Sequence, residues 1–309
     1  MSLKTQETYT SVMTMIKNLC GTTEPSFFLD IKTVMNKLQS SKYAITTQKV
    51  MVVVINTILK DSNERNTSTY KKAINEYKNI ITSYNNTINH MIGENILSKK
   101  EEDKYISFEK LLEVREELLK EYNKHNVEQT YFNYLILSLY TMFPPRRIID
   151  YTKMKVIEQE PKTNNYNYLV NYKNENKMKF VFNEYKTAHQ YGKQSFIVPN
   201  DLRNVIKVWL SLYHKGEFLL SRYGGINEIN EDTFSKMVSR ILFKYSGIPA
   251  GVSMLRHSYI SYITDNKSLS LNERKDIANR MAHSIFLQLQ YYKKSNVKNE
   301  QNENKSYVN

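Results

Sequence analysis

The apolar residues change period twice along this 309-residue chain, which restricts it to a helical protein with a small sheet set inside it. Val12, Met15, Ile16 and Leu19 keep helical spacing, as do Ile31, Val34, Met35 and Leu38. The run from Val50 to Leu59 is long enough for a buried helix. Asp61-Ser62-Asn63-Glu64 interrupts the pattern and Tyr70 to Ile81 resumes it. These features predict a helical bundle over 1–95. The stretch 96–106 carries Lys99, Lys100, Glu101, Glu102, Asp103 and Lys104 and is expected to be an interdomain linker. Phe108, Leu111, Leu112, Leu118, Leu119 and Tyr122 then mark an amphipathic helix. An apolar helix from about Tyr131 to Met142 follows, stopped by Pro144-Pro145. In the middle the period drops to two. Tyr166, Tyr168 and Val170 alternate, Lys173 to Asn176 make a turn, Met178, Phe180 and Phe182 alternate again, and Ser195 to Val198 offer a third strand. Helical spacing returns with Leu202, Val205, Ile206, Trp209, Leu210 and Tyr213, and again with Phe234 to Tyr245 before Gly247. The expected fold is mainly α with a small antiparallel β-sheet (α+β), its second domain spanning 107–295 and a polar, flexible tail 296–309.

Charge narrows the partners. The formal net charge is +13, and residues 1–100 hold 13 Lys and Arg against 7 Asp and Glu, so both halves are basic. A polyanion is the natural partner, with double-stranded DNA favoured over a membrane, and two basic halves could close around a duplex. Cys20 is the single cysteine, which excludes an internal disulfide and a cysteine-built zinc site. The six histidines contain no H-x-x-x-H pair, so no metal is expected. The start lacks an apolar run and no segment reaches bilayer length, as in a soluble intracellular protein. The abundance of Asn, Lys, Ile and Tyr hints at an AT-rich genome, viral or mobile.

Chemistry concentrates late in the chain. Met254-Leu255-Arg256-His257-Ser258 precedes Met281-Ala282-His283-Ser284 and then Tyr291-Tyr292. Arginine grips two phosphate oxygens with one planar cation, histidine moves protons near neutrality, and an assisted tyrosine can attack phosphorus. Earlier, Pro144-Pro145-Arg146-Arg147-Ile148-Ile149-Asp150 adds two arginines at a predicted helix start, and Glu184-Tyr185-Lys186-Thr187 lies just beyond the second predicted strand.

In this order and spacing the chain resembles the tyrosine recombinases (the phage-integrase family) over most of its length. The resemblance implies a helical core-binding domain followed by an integrase-like catalytic domain. The family's arginine followed three residues later by an acid selects Arg147, with Asp150 to orient it, over Arg146. Its sheet-turn lysine falls on Lys186, with Lys193 as the fallback in the same loop. Arg256 fits the second arginine. Ser253 stands where the family usually carries histidine, and a serine cannot take up a proton near pH 7. His257 either compensates or is a buried structural residue. His283 is expected to hydrogen-bond the scissile phosphate. Tyr292, nine residues on, has the family's spacing for the nucleophile, although tyrosines number 24 and Tyr291 is adjacent.

The implied reaction is attack of Tyr292 on phosphorus to give a 3′-phosphotyrosine and a 5′-hydroxyl, with Lys186 as general acid. The resemblance further implies site-specific recombination or integration by a homotetramer on paired DNA sites, with no small-molecule cofactor and no metal. DNA relaxation in the manner of a type IB topoisomerase uses much the same residues, and Ser253 leaves room for a catalytically impaired relative that only binds DNA.

Overall fold

Helices build the first half because its apolar residues recur every three or four positions and find partners at every turn. Residues 3–95, 97, 99–221 and 226–293 are described by the structure, a computed structural model. The tail expected over 296–309 lies outside the described residues. The chain divides into two units, Met1–Glu94 and Asn95–Asn309. The first contains α1 (Leu3–Cys20), α2 (Ile31–Gln39), α3 (Ile45–Asp61) and α4 (Ser68–Gly93), with a single 3-10 turn, Pro25–Leu29, before α2. Ile16, Phe28, Val34, Met51, Val52, Ile55, Leu59 and Tyr77 are all buried among one another. Helix α3 contains a β-branched run, Val52 to Ile55, that favours strands in isolation; burial of this kind is worth about 1.5–3 kcal/mol per large side chain and outweighs the propensity. Asp30 caps α2 by accepting from the Thr33 amide, and the Tyr77 hydroxyl donates to the Phe28 carbonyl at 2.9 Å.

The second unit opens with a one-turn helix, α5 (Lys99–Glu102), inside the stretch expected to be a linker. That stretch ends in the protein: Ile106 is fully buried and its carbonyl accepts from the Ser258 hydroxyl. Helices α6 (Phe108–His125) and α7 (Glu128–Thr141) pack together across a turn at Asn126, whose left-handed φ of 51° ends α6. Residues Thr130 to Tyr140 of α7 are nearly all buried, as befits an unbroken apolar run.

Short α8 (Ile148–Thr152) leads into a four-stranded sheet of β1 (Lys155–Ile157), β2 (Tyr168–Tyr172), β3 (Lys177–Phe182) and β4 (Gln194–Ile197), paired in that order. The expected antiparallel meander corresponds to β2, β3 and β4, with Leu169 opposite Phe180 and Phe180 opposite Phe196. The sheet is nevertheless mixed, because β1 runs parallel to β2 along its edge. Three residues are too few to show a period-two signal, so β1 was invisible to pattern reading. Met178, Phe180 and Phe182 face the main core, while Val181 joins Tyr168 and Val170 on the other side, as alternation requires.

Between β3 and β4 lies α9 (Ala188–Tyr191), and after the sheet come α10 (Asn200–Leu212), α11 (Glu231–Ser246), α12 (Val252–Asn266), α13 (Leu271–Arg280) and α14 (Ile285–Tyr291). Leu202, Val205, Ile206 and Trp209 are the buried stripe of α10, and Trp209 donates to the Leu219 carbonyl at 3.0 Å. Gly247, at φ 74°, ends α11. The fold is α+β, with one face of the sheet packed against the helical core of its own unit. Among the described residues no helix is long and apolar enough to cross a membrane.

Candidate active site

Proline cannot supply the amide that would continue α7, so the chain runs extended through Pro144-Pro145 and delivers two successive arginines. Arg146 is fully buried. Its Nε donates to Asp150 Oδ2 at 2.6 Å, and its Nη1 donates to Gln194 Oε1 at 3.1 Å and to the Arg280 carbonyl at 2.7 Å. Its guanidinium lies 3.7 Å from the centre of the Phe182 ring. Asp150 was expected to orient Arg147, but the structure pairs it with Arg146. The two lie four residues apart and face each other, and burial, which raises the Asp150 pKa, makes a cationic partner necessary. Gln194 was not singled out from the sequence. It ties this pair to α13 through Asn279, 2.7 Å from its Nε2, and nothing in its surroundings in sequence signals that role.

Arg147 is the N-cap residue of α8 and is half-buried. Its Nη1 donates to the Ala282 carbonyl at 3.0 Å. Burial lowers its pKa, and the neighbouring Arg256 lowers it further. Arg256, on the second turn of α12, donates from Nη1 to the Pro145 carbonyl at 2.7 Å. Both of its terminal nitrogens reach the Met281 carbonyl at 3.3 Å. The two arginines, distant in sequence, therefore hold the carbonyls of consecutive residues, Met281 and Ala282. The peptide is presented by Ala282 itself, whose φ of 53° lies in the left-handed region that a glycine adopts more cheaply. The Thr187 hydroxyl donates to the same Ala282 carbonyl at 3.0 Å, which brings the turn holding Lys186 alongside. Lys186 is itself exposed, as is Lys193. Among the described residues neither Arg147 nor Arg256 forms an ion pair, so two like charges act on each other, with the Asp150 carboxylate reaching both only beyond ion-pair distance.

His283 follows directly and is 3% exposed. Its Nδ1 lies 2.9 Å from the Ser284 carbonyl, and its Nε2 is buried with no hydrogen-bond partner among the described residues. Burial pushes its pKa down to about 4, Arg256, Arg147 and Arg146 adding to the effect and the carbonyl bond opposing it. His257 lies one residue beyond Arg256, with Nδ1 2.9 Å from the Tyr291 carbonyl, and burial lowers its pKa too. Ser253 is exposed on the first turn of α12.

The tyrosines divide. The Tyr291 hydroxyl accepts from Arg256 Nε at 3.2 Å, and the Tyr291 ring lies 4.8 Å from that guanidinium, 4.8 Å from the His257 ring and 5.3 Å from the His283 ring. Tyr292, selected by spacing, instead donates its hydroxyl to Asp265 Oδ1 at 3.0 Å. Burial first, and then Asp265, raises the Tyr292 pKa, which disfavours phenolate there. The cause is helix phase. Helix α14 ends at Tyr291, and Tyr292 takes an extended ψ of 131°, so the side chains of the pair leave the backbone in different directions. Counting from the histidine carries no information on where α14 stops, and so does not separate them.

No protein-family model matches the chain, and no curated protein matches it in sequence. Among solved structures the chain is similar to the crystal structure of XerA recombinase, at 12% identity and a TM-score of 0.44, over 100% of this chain and 94% of that one. It is also similar to the XerH site-specific recombinase bound to its difH substrate in a pre-cleavage complex, at 14% identity and a TM-score of 0.44, over 90% of this chain and 76% of that one.

Proposed function

We propose that this chain is a DNA strand transferase of the tyrosine-recombinase kind, which cuts and rejoins a phosphodiester through a covalent phosphotyrosine. One observation carries the reading: Arg147 and Arg256 converge on the consecutive carbonyls of Ala282 and Met281, without a carboxylate partner among the described residues, and a tyrosine hydroxyl sits 3.2 Å from one of them. Paired guanidinium groups left unneutralised attract an anion, and a phosphodiester presents two non-bridging oxygens to them. The basic excess of +13 makes DNA the polyanion of choice.

In this reading Arg147 and Arg256 bind the scissile phosphate and stabilise the charge that builds on it. The Tyr291 ring covers Arg256, which is only 2% exposed, so the ring swings aside as the phosphate enters and its hydroxyl stays next to phosphorus. Tyr291 attacks, the P–O5′ bond breaks, and Lys186, on the exposed turn beside Thr187, protonates the departing 5′ oxygen. The product is a 3′-phosphotyrosine, and a new 5′-hydroxyl reverses the step without ATP. Site-specific recombination on paired DNA sites by a homotetramer remains part of this proposal, as does a DNA-binding role for the basic helical unit at the start of the chain.

The geometry favours Tyr291 as nucleophile over Tyr292, and substitution separates them. The probe is a pool of nicked duplexes with a randomised centre, which traps covalent protein–DNA adducts on a denaturing gel. Wild type and Tyr292→Phe are expected to give adducts within about tenfold of each other, whereas Tyr291→Phe is expected to lose at least about 10³-fold. Loss with Tyr292→Phe alone would return the role to the residue chosen by spacing. Absence of adduct with the wild type would leave a protein that only binds DNA. Relaxation of a plasmid by the monomer, with no paired sites, would point to topoisomerase chemistry.

A further inference from the structure

We propose that His283 is the proton acceptor for the attacking tyrosine rather than a hydrogen-bond donor to the phosphate. This rests on the strand-transfer reading and assigns it a missing part. A phenol of ordinary pKa, about 10, must lose its proton to attack phosphorus near neutrality, so the site needs an acceptor. The carboxylates nearby are engaged: Asp150 by Arg146, Asp265 by the Tyr292 hydroxyl and Asp276 by Arg280. Ser253 has no proton-accepting nitrogen. Two histidines remain, both with Nδ1 on a backbone carbonyl, and burial of the second nitrogen tells them apart: among the described residues His283 Nε2 is buried without a partner.

A carbonyl oxygen can only accept. The 2.9 Å contact between His283 Nδ1 and the Ser284 carbonyl therefore places the ring proton on Nδ1. That leaves Nε2 of the neutral ring with a lone pair, buried and unpartnered among the described residues. A lone pair cannot donate to a phosphate oxygen, but it can take a proton. The Tyr291 ring is its neighbour at 5.3 Å, and the Tyr291 hydroxyl oxygen already accepts from Arg256, so its own hydrogen is free to turn elsewhere. The ring stays neutral at working pH because it is buried among cations, and the arriving phosphate, by offsetting those cations, strengthens it as a base. His257 uses the same nitrogen in the same way, but on the backbone of the nucleophile. Its Nδ1 donates to the Tyr291 carbonyl at 2.9 Å, which makes it a positioning residue for the backbone of the nucleophile.

The step balances. The Tyr291 proton passes to His283 Nε2, the phenolate oxygen bonds to phosphorus, the P–O5′ bond breaks, and O5′ takes a proton from Lys186. The groups that act on His283 are Arg146 and Arg147 ahead of α8, Arg256 on α12 and the Tyr291 ring on α14.

His283→Trp is the decisive variant, since the indole N–H donates well and accepts nothing. Single-turnover adduct formation on a duplex recovered from the randomised pool is measured against pH. The wild-type rate is expected to fall on the acid side as His283 protonates. His283→Trp is expected to be slower by about 10²–10⁴-fold and to lack that acid limb. A Trp variant within about threefold of wild type would overturn the proton-acceptor role while leaving strand transfer intact. No adduct from the wild type would overturn both. A second measurement needs neither activity nor a folded variant: nitrogen NMR of the ¹⁵N-histidine-labelled wild-type protein. Two histidines, His257 and His283, are expected near neutrality with a protonated Nδ1 and a bare Nε2, one of them with a titration depressed to about 4. A spectrum in which fewer than two histidines carry the proton on Nδ1, or in which none titrates that low, would overturn the assignment.

Discussion

Arg146 and Arg147 share a peptide bond and a chemistry, and differ in what surrounds them. The first is sealed against Asp150, Gln194 and the face of Phe182, and the second lies half-open beside Ala282. Losing one half of a buried ion pair leaves the other charge stranded, at a cost of about 3–5 kcal/mol. Arg146→Met is therefore expected to lower the melting temperature sharply. Arg147→Ala is expected to leave it within a few degrees and to cut adduct formation by about 10²–10³-fold, as loss of one anion-stabilising donor does. Calorimetry and the adduct gel, run on both variants, read the contrast. Equal losses of stability would show that Arg147 is structural as well. The sequence rule of an acid three residues on picked Arg147 of this pair, but its acid serves Arg146. Spacing along a chain reports which residues are close in number, and it does not report which of two neighbours turns inwards.

Helix ends carry the site at the next scale. The N-cap of α8 holds Arg147, the left-handed residue between α13 and α14 holds the carbonyl that Arg147 grips, and the last residue of α14 is Tyr291. These ends are set locally. Ser270 and Glu273 make a reciprocal capping box at the start of α13, and Ser284 accepts from the Leu287 amide to start α14. Ser270→Ala is expected to cost about 1 kcal/mol, a fall of roughly 2–4 °C for a unit of this size, with adduct formation unchanged. A larger drop, or lost activity, would mean that the start of α13 reaches the site. The α13 cap is written in the sequence as Ser270 followed three residues later by Glu273, although it was not singled out there. The tyrosine choice is not written there, because it depends on the residue at which α14 stops.

At the scale of the whole molecule, buried histidines couple stability to pH. His283 is held down to about 4, and burial also lowers His257 and His214. Each folded-state value lies below the ordinary 6.5, so the unfolded chain takes up protons first. Stability present above about pH 6.5 is therefore lost as pH falls towards 4, and His283 alone accounts for about 3 kcal/mol of it. Asp150, raised by burial, works in the opposite sense. The melting temperature is expected to fall between pH 7 and pH 5, and the fall to be shallower in His283→Gln. A slope unchanged by the substitution would contradict the depressed histidine.

The order of the longer helices up to α11 and of β2, β3 and β4 was written in the period of the apolar residues, since burial of one face forces a repeat of 3.6 or 2 that any reader of the chain can count. The presence of two arginines, two histidines and a tyrosine pair was written there too, along with the positive charge that suits a nucleic acid. The edge strand β1, the partner of Asp150, the tautomer of His283 and the tyrosine that meets Arg256 were decided only in three dimensions. Each depends on which residue a helix ends at or which way a side chain turns from the backbone, and those choices are made by packing around a site where Arg147 meets Ala282 and Arg256 meets Pro145 across more than a hundred residues of chain.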